Sequence, residues 1–218
     1  MQRIGRRAVL AGGMATAAMG RTPEMSPVPP GDSLAFRLIR HGSAIGTHAL
    51  AFHRLPDGLD VHIGVNALVK FGPIPFVRYT HANVESWRNG RLVGLDAHTD
   101  KNGTELSMHA RRDWRGLAVD GSGTAPYVAP ADALPTTYWN QAMLDGPMIG
   151  TQDGGLVRPK VVDKGMEQIE LASGQPIAAR RYELSGDLDL VVFYDLAGVW
   201  AGMSFSVADG SVIHYQRL

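Results

Sequence analysis

The residues best equipped for chemistry crowd into one stretch, Val77 to Arg111, which holds His81, Glu85, Asp96, His98 and His109. Three imidazoles beside a carboxylate form a donor set for Zn²⁺ or another divalent ion. Glu85 would then serve as general base on metal-bound water, the chemistry of a metal-dependent hydrolase. Whether these groups meet depends on two Asn-Gly pairs, Asn89-Gly90 and Asn102-Gly103. Asn-Gly accepts the positive φ angles of a type I′ turn, so each pair predicts a two-residue hairpin loop. Counting back from the first loop sets Trp87 opposite Leu92, Glu85 opposite Gly94, Asn83 opposite Asp96 and His81 opposite His98. The second loop sets His98 opposite Ser107 and Asp96 opposite His109. Opposed Cβ atoms lie about 5 Å apart. The metal set is then His81, Asp96, His98 and His109, on a face shared with Asn83, Glu85, Ser107 and Arg111, with Tyr79 and Trp87 at its ends. The other face runs from Thr80, Ala82 and Val84 to Leu95, Ala97, Met108 and Ala110. It is small and apolar and is expected to pack. A solvated outer face produces the same alternation, and the spacing matches no dedicated metal motif. If the polar face is concave, it is a binding site instead.

A second candidate is Thr136-Thr137-Tyr138-Trp139-Asn140. Tyr and Trp combine apolar area with a polar tip, which suits a ligand pocket, or aromatics packed onto an open sheet. Nucleophilic catalysis finds little support. There is no cysteine, no Gly-x-Ser-x-Gly elbow, and Gly121-Ser122-Gly123 reads as a turn. Glu85 and Asp96 as an acid/base pair for a glycosidase is a weak signal, because paired carboxylates are common on exposed sheets.

The elements that must position these residues are strands. Leu34–Arg40 and Ile45–Leu55 come first, and Pro56-Asp57-Gly58 turns the chain. From Leu59 to Phe71, apolar and largely polar residues alternate with period two, which implies one buried face. After the Asn-Gly hairpins, short strand-like runs recur to the C-terminus, separated by turns such as Asp153-Gly154, Ser173-Gly174 and Asp209-Gly210. Residues 136–144 read as the one short helix, capped by Thr136 or Thr137 and ended by Gly146-Pro147. About a dozen strands joined by tight turns predict an all-β, single antiparallel, strongly curved meander. It forms a barrel or half-barrel, since a flat sheet of that size leaves exposed edges. A two-sheet sandwich is the alternative.

The chain of 218 residues is long enough for one sizeable domain and core, with 21 basic and 21 acidic residues. That balance argues against a nucleic-acid partner. No apolar run is long enough for a transmembrane helix. At the start, Arg6-Arg7 precede a mild Ala/Gly-rich apolar run ending near Gly20. This reads as a twin-arginine-like export signal over 1–20 and implies a periplasmic address. Residues 21–31 carry four prolines and read as an extended linker. The β domain is expected over 32–218.

Several blocks are similar to an uncharacterised family of exported bacterial proteins, the domain-of-unknown-function family 6134. They are Ile45-Gly46, Glu85–Leu92, Thr99–Gly103, Pro135–Asn140, Phe193-Tyr194-Asp195 and Asp209-Gly210 with Ile213-His214-Tyr215. The resemblance spans nearly all of the chain after the signal. It implies a β-rich periplasmic domain and carries no active-site assignment. The leading expectation is a non-enzymatic protein, needing no cofactor, that holds an apolar or amphiphilic small molecule in a curved-sheet cavity. Its candidate ligand-binding residues are Tyr79, His81, Glu85, Trp87, His98, Tyr138, Trp139 and Asn140. The alternatives are the metal-dependent hydrolase, which needs a divalent metal such as zinc, and an envelope interaction module with an unidentified protein partner.

Overall fold

The computed structural model describes residues 26–71 and 74–218; the export-signal reading falls on residues outside that range. The main sheet is built from β1 (Ser33–Arg40), β2 (Ser43–Leu55), β3 (Gly58–Phe71), β4 (Ile74–Arg88), β5 (Arg91–Lys101), β6 (Thr104–Asp113), β7 (Gly116–Gly121) and β8 (Thr124–Ala129). After an insertion it resumes with β12 (Lys160–Glu170), β13 (Pro176–Ser185), β14 (Leu190–Asp195), β15 (Trp200–Ser206) and β16 (Val212–Arg217). The insertion carries β9 (Leu134–Pro135), β10 (Met148–Ile149) and β11 (Leu156–Val157), which form a separate three-stranded patch.

The 13 strands run in the order β12-β13-β14-β15-β16-β1-β2-β3-β4-β5-β6-β7-β8, all pairs antiparallel. This is a meander whose two ends meet at the centre, where the last strand pairs with the first. The edges are β8 and β12. The insertion explains the curvature. Trp139 Nε1 donates to Glu85 on β4 and Gln141 Nε2 donates to Tyr182 on β13. Those strands are seven steps apart in the sheet, about 34 Å if it were flat. Two residues of chain span about 7 Å. The sheet must therefore curl round the insertion, which fills its interior as a plug.

Both Asn-Gly loops form as expected, with φ of 50° and 71° at Asn89 and Gly90, and 56° and 85° at Asn102 and Gly103. The second hairpin keeps the expected register, His98 opposite Ser107 and Asp96 opposite His109. The first does not. Trp87 pairs with Leu92, but Ser86 pairs with Gly94, so Val93 is an extra residue in a β-bulge. Every pair beyond it shifts by one: Glu85 faces Leu95, Asn83 faces Ala97 and His81 faces Thr99. The reason is packing. Leu92 and Leu95 have opposite parity in a regular strand, and the bulge lets both point inward, where both are buried. Each buried leucine contributes about 1.5–3 kcal/mol. The consequence is that His81, Asn83 and Glu85 turn inward with them, while Ala82 and Val84 face out.

The helix expected over 136–144 is a single 3-10 turn, Gln141–Asp145. Tyr138 holds a positive φ of 64°, and Thr137 and Trp139 donate to carbonyls only two residues back. A helix cannot start through that geometry. Asn140 caps the turn instead, accepting from Ala142 N. The Pro-rich stretch also departs from a free linker in its second half. Ser26 N donates to Asn140 Oδ1, and Ser26 Oγ accepts from Gln141 N, so residue 26 is pinned to the plug.

Candidate functional site

The largest hydrophobic cluster joins the inner face of the sheet to the plug through Phe36, Phe52, Trp87, Trp139 and Trp200. A second, smaller cluster of Leu38, Val65 and Ala67, flanked by Ile45, Tyr79 and Tyr215, stands apart from it. This second cluster walls a hollow of about 310 Å³ between sheet and plug. Register explains the hollow. One row across the inner face reads Tyr215, Leu38, Gly46, Ala67, Tyr79, Lys101. Its middle is a glycine and an alanine, so large side chains flank an empty centre. Gly46 has little freedom to change, because a Cβ there would stand 2.1 Å from the Asn66 carbonyl oxygen.

The next row inward reads Phe36, His48, Val65, His81, Thr99. Both histidines line the hollow, as do Thr136, Thr137 and Tyr138 from the plug. His81 Nδ1 shares a hydrogen bond of 2.8 Å with Thr99 Oγ1. His48 is only 5% exposed, and neither of its ring nitrogens has a partner among the described residues. It is boxed by the rings of Trp200, Tyr215 and Phe36, at centroid distances of 5.1, 5.7 and 6.2 Å. Burial, and then the neighbouring His81, lower its pKa to about 3. Burial, and then His98, lower that of His81 to about 4. Both are neutral imidazoles at ordinary pH. Burial pushes the Tyr79 phenol up to about 12 and raises Tyr138 and Tyr215 as well, each of the latter two further disfavoured by its tyrosine neighbours. The inner lining is thus polar in places but uncharged. The exposed Lys101 and Gln152 stand at the rim.

Beneath the hollow lies Glu85, completely buried. Its Oε2 accepts from Trp87 Nε1 at 2.7 Å and Trp139 Nε1 at 2.9 Å. The Thr137 hydroxyl lies beside the same carboxyl, yet neither it nor Oε1 completes a hydrogen bond. Burial raises the pKa of Glu85, and hydrogen bonding from its neighbours opposes this only in part. The carboxyl is a polar strut between β4 and the plug.

The expected site residues therefore divide. Tyr79, His81 and Tyr138 line the hollow. Trp87 and Trp139 belong to the core, Glu85 ties them together, and Asn140 caps the 3-10 turn. His98 is exposed on the outer face. The metal set His81, Asp96, His98 and His109 does not assemble, because the bulge sends His81 inward while the other three face out. Asp96 instead pairs with His109 at 2.8 Å and Arg111 at 2.5 Å on the surface. Among the described residues no group of three or more His, Asp or Glu is placed to hold a metal ion. Thr137, part of the second candidate block, also lines the hollow, whereas His48 and Tyr215 were not among the expected site residues. His48 was visible as one member of the inward series Gly46, His48, Leu50, Phe52, an imidazole where the alternation demands an apolar residue.

Curled sheet, plug and the largely apolar hollow between them together define a β-barrel-like protein. The match of residues 36–218 to a family model places the chain in the family described as domain of unknown function DUF6134, and it belongs to that family. A solved structure of similar fold is the β-barrel-like protein of domain of unknown function DUF1849 from Brucella abortus. It superposes with a TM-score of 0.57 at 10% identity, covering 85% of this chain and 94% of that one. At that identity the likeness concerns the fold alone. Curated proteins gave no match. No helix of the described residues is long and apolar enough to cross a membrane.

Proposed function

We propose that this is a periplasmic, non-enzymatic binding protein that holds an apolar or amphiphilic small molecule in the hollow between the curled sheet and its plug. The observation that carries this reading is the hollow itself. It has apolar walls, a separate hydrophobic cluster around it, and a buried histidine on its lining with no partner for either nitrogen. Buried polar atoms in folded proteins nearly always have partners, so orphans facing a hollow argue for a ligand or water there. The volume falls at the lower end of small-molecule sites, about 300–1,000 Å³. Residues bearing metal-hydrolase chemistry are split between the two faces of the sheet, which removes the geometric basis of that alternative.

Native mass spectrometry of protein recovered from the periplasm, followed by organic extraction, tests the reading. A co-purifying apolar compound is expected, and its absence together with exclusion of uncharged apolar dyes would count against it. The address rests on Arg6-Arg7 and the apolar run behind them. Replacing both arginines by lysine should leave the precursor in the cytoplasm, whereas unchanged delivery would overturn the twin-arginine assignment.

A further inference from the structure

We infer that the compound held here carries an uncharged oxygen group, an alcohol or a ketone, which enters first and is directed to His48, with its hydrocarbon running outward past Ala67 to the rim at Lys101. The inference rests on the binding reading above and narrows it to a ligand class and an orientation.

The argument begins with the orphaned atoms. His48 Nδ1 and Nε2 and Thr137 Oγ1 are buried, line the hollow and have no hydrogen-bond partner among the described residues. A neutral imidazole offers one donor and one acceptor, and a hydroxyl offers both. An alcohol or carbonyl oxygen complements either group without bringing charge. The aromatic box of Phe36, Trp200 and Tyr215 fixes the His48 ring, so the orphans cannot turn away to find partners.

Charged heads fit less well in either orientation. An ionised carboxylate at the inner end would be stripped of water beside two neutral histidines, with no cation among the inner lining residues. Turned round, the carboxylate would meet Lys101 at the rim, but hydrocarbon would then press against His48 and Thr137 and leave their polar atoms unpaired. Only a neutral oxygen placed inward satisfies the buried groups and the apolar walls together. Leu38, Val65 and Ala67 supply the channel for its hydrocarbon.

The test is displacement of the uncharged dye N-phenyl-1-naphthylamine from the full chain near neutral pH, using 1-decanol, 2-decanone and decanoate. The alcohol and the ketone should displace the dye at about tenfold lower concentration than decanoate. In His48→Leu, dye binding should persist while the advantage of the alcohol over decanoate shrinks to about threefold or less. Thr137→Val is the second variant, read in the same way should His48→Leu fail to fold. Decanoate binding as well as or better than decanol would overturn the neutral-head assignment and leave the cavity reading standing. An undiminished preference in both variants would overturn the orientation. No binding of the dye or of any of the three compounds would instead overturn the binding reading itself.

Discussion

Three buried ionisable side chains, His48, His81 and Glu85, set a pH signature that follows from which state of the chain binds the proton. Each histidine takes up a proton below about pH 6.5 in the unfolded chain, but in the folded protein only near about 3 for His48 and about 4 for His81. Their contribution is therefore complete above pH 6.5 and is lost as pH falls toward those values, at about 1.4 kcal/mol per histidine per pH unit. Glu85 has the opposite sign. Its pKa is raised on folding by burial, so above the ordinary value of 4.5 the unfolded chain gives up this proton more readily than the folded protein. Its contribution is full below that value and declines as pH rises through the folded pKa. From about pH 4.5 to 6.5 two histidines outweigh one carboxyl, so the three groups together should make the protein more stable as pH rises. Urea midpoints across that range should show the rise in the wild type and its loss or reversal in a His48→Leu, His81→Gln variant. Equal slopes in the two proteins would mean that the histidines are not buried as described. Glu85→Gln keeps an oxygen for both indoles, whereas Glu85→Leu strands two buried N–H donors. The leucine variant should be less stable than the glutamine variant by about 2 kcal/mol or more.

At the scale of the element, the bulge in β5 decides which residues see the interior. Inserting an alanine between Ser86 and Trp87, opposite Val93, would restore a regular ladder, in which Leu92 and Leu95 cannot both point inward. One leucine, or Trp87 with its hydrogen bond to Glu85, would be expelled. The expected result is a loss of about 2–4 kcal/mol in denaturant unfolding, with red-shifted tryptophan emission. An insertion variant that unfolds at the wild-type midpoint would show that the bulge does not fix the inner face. This same feature marks where the sequence stopped being legible. Turn chemistry placed both hairpins, and alternation in Leu59–Phe71 identified the buried face of β3. Polarity then pointed the wrong way in β4. His81, Asn83 and Glu85 read as a wet face because each needs a partner, and the partners of Glu85 include Trp139, 54 positions along the chain. No local rule exposes such a contact. Gly94 inside a strand, next to leucines three apart, was the available signal of a bulge. The misplaced helix has a similar cause. Tyr138 is held in a left-handed conformation between Trp200, against which its ring packs, and Tyr194, whose hydroxyl donates to its carbonyl, and those are tertiary contacts.

At the scale of the whole molecule, a meander this wide needs something inside it. Thirteen strands curl only as far as their contents allow, and the plug reaches strands near both edges. Besides the bonds to β4 and β13, Tyr127 on β8 donates to the Gly154 carbonyl, and Gly123 N donates to that of Asp153. Gly121 permits this approach, because a Cβ there would stand 2.2 Å from the Asp153 carbonyl oxygen. The plug packs densely against β2, β4 and β14 but leaves the small-residue row at Gly46 and Ala67 uncovered, so the hollow is what remains between two well-packed bodies. A ligand seated there binds the folded state and not the unfolded chain. At a free concentration a hundredfold above its Kd it should add about 2.7 kcal/mol. For a domain of this size that corresponds to a rise in Tm of about 5–11 °C. Ala67→Trp, which sets an indole in the middle of the row, should fold but show no such rise. Saturating N-phenyl-1-naphthylamine in a thermal melt measures both. An equal shift in the wild type and in Ala67→Trp would move the binding site away from the hollow, because an indole at that position leaves no room for a second apolar body beside Leu38 and Tyr79.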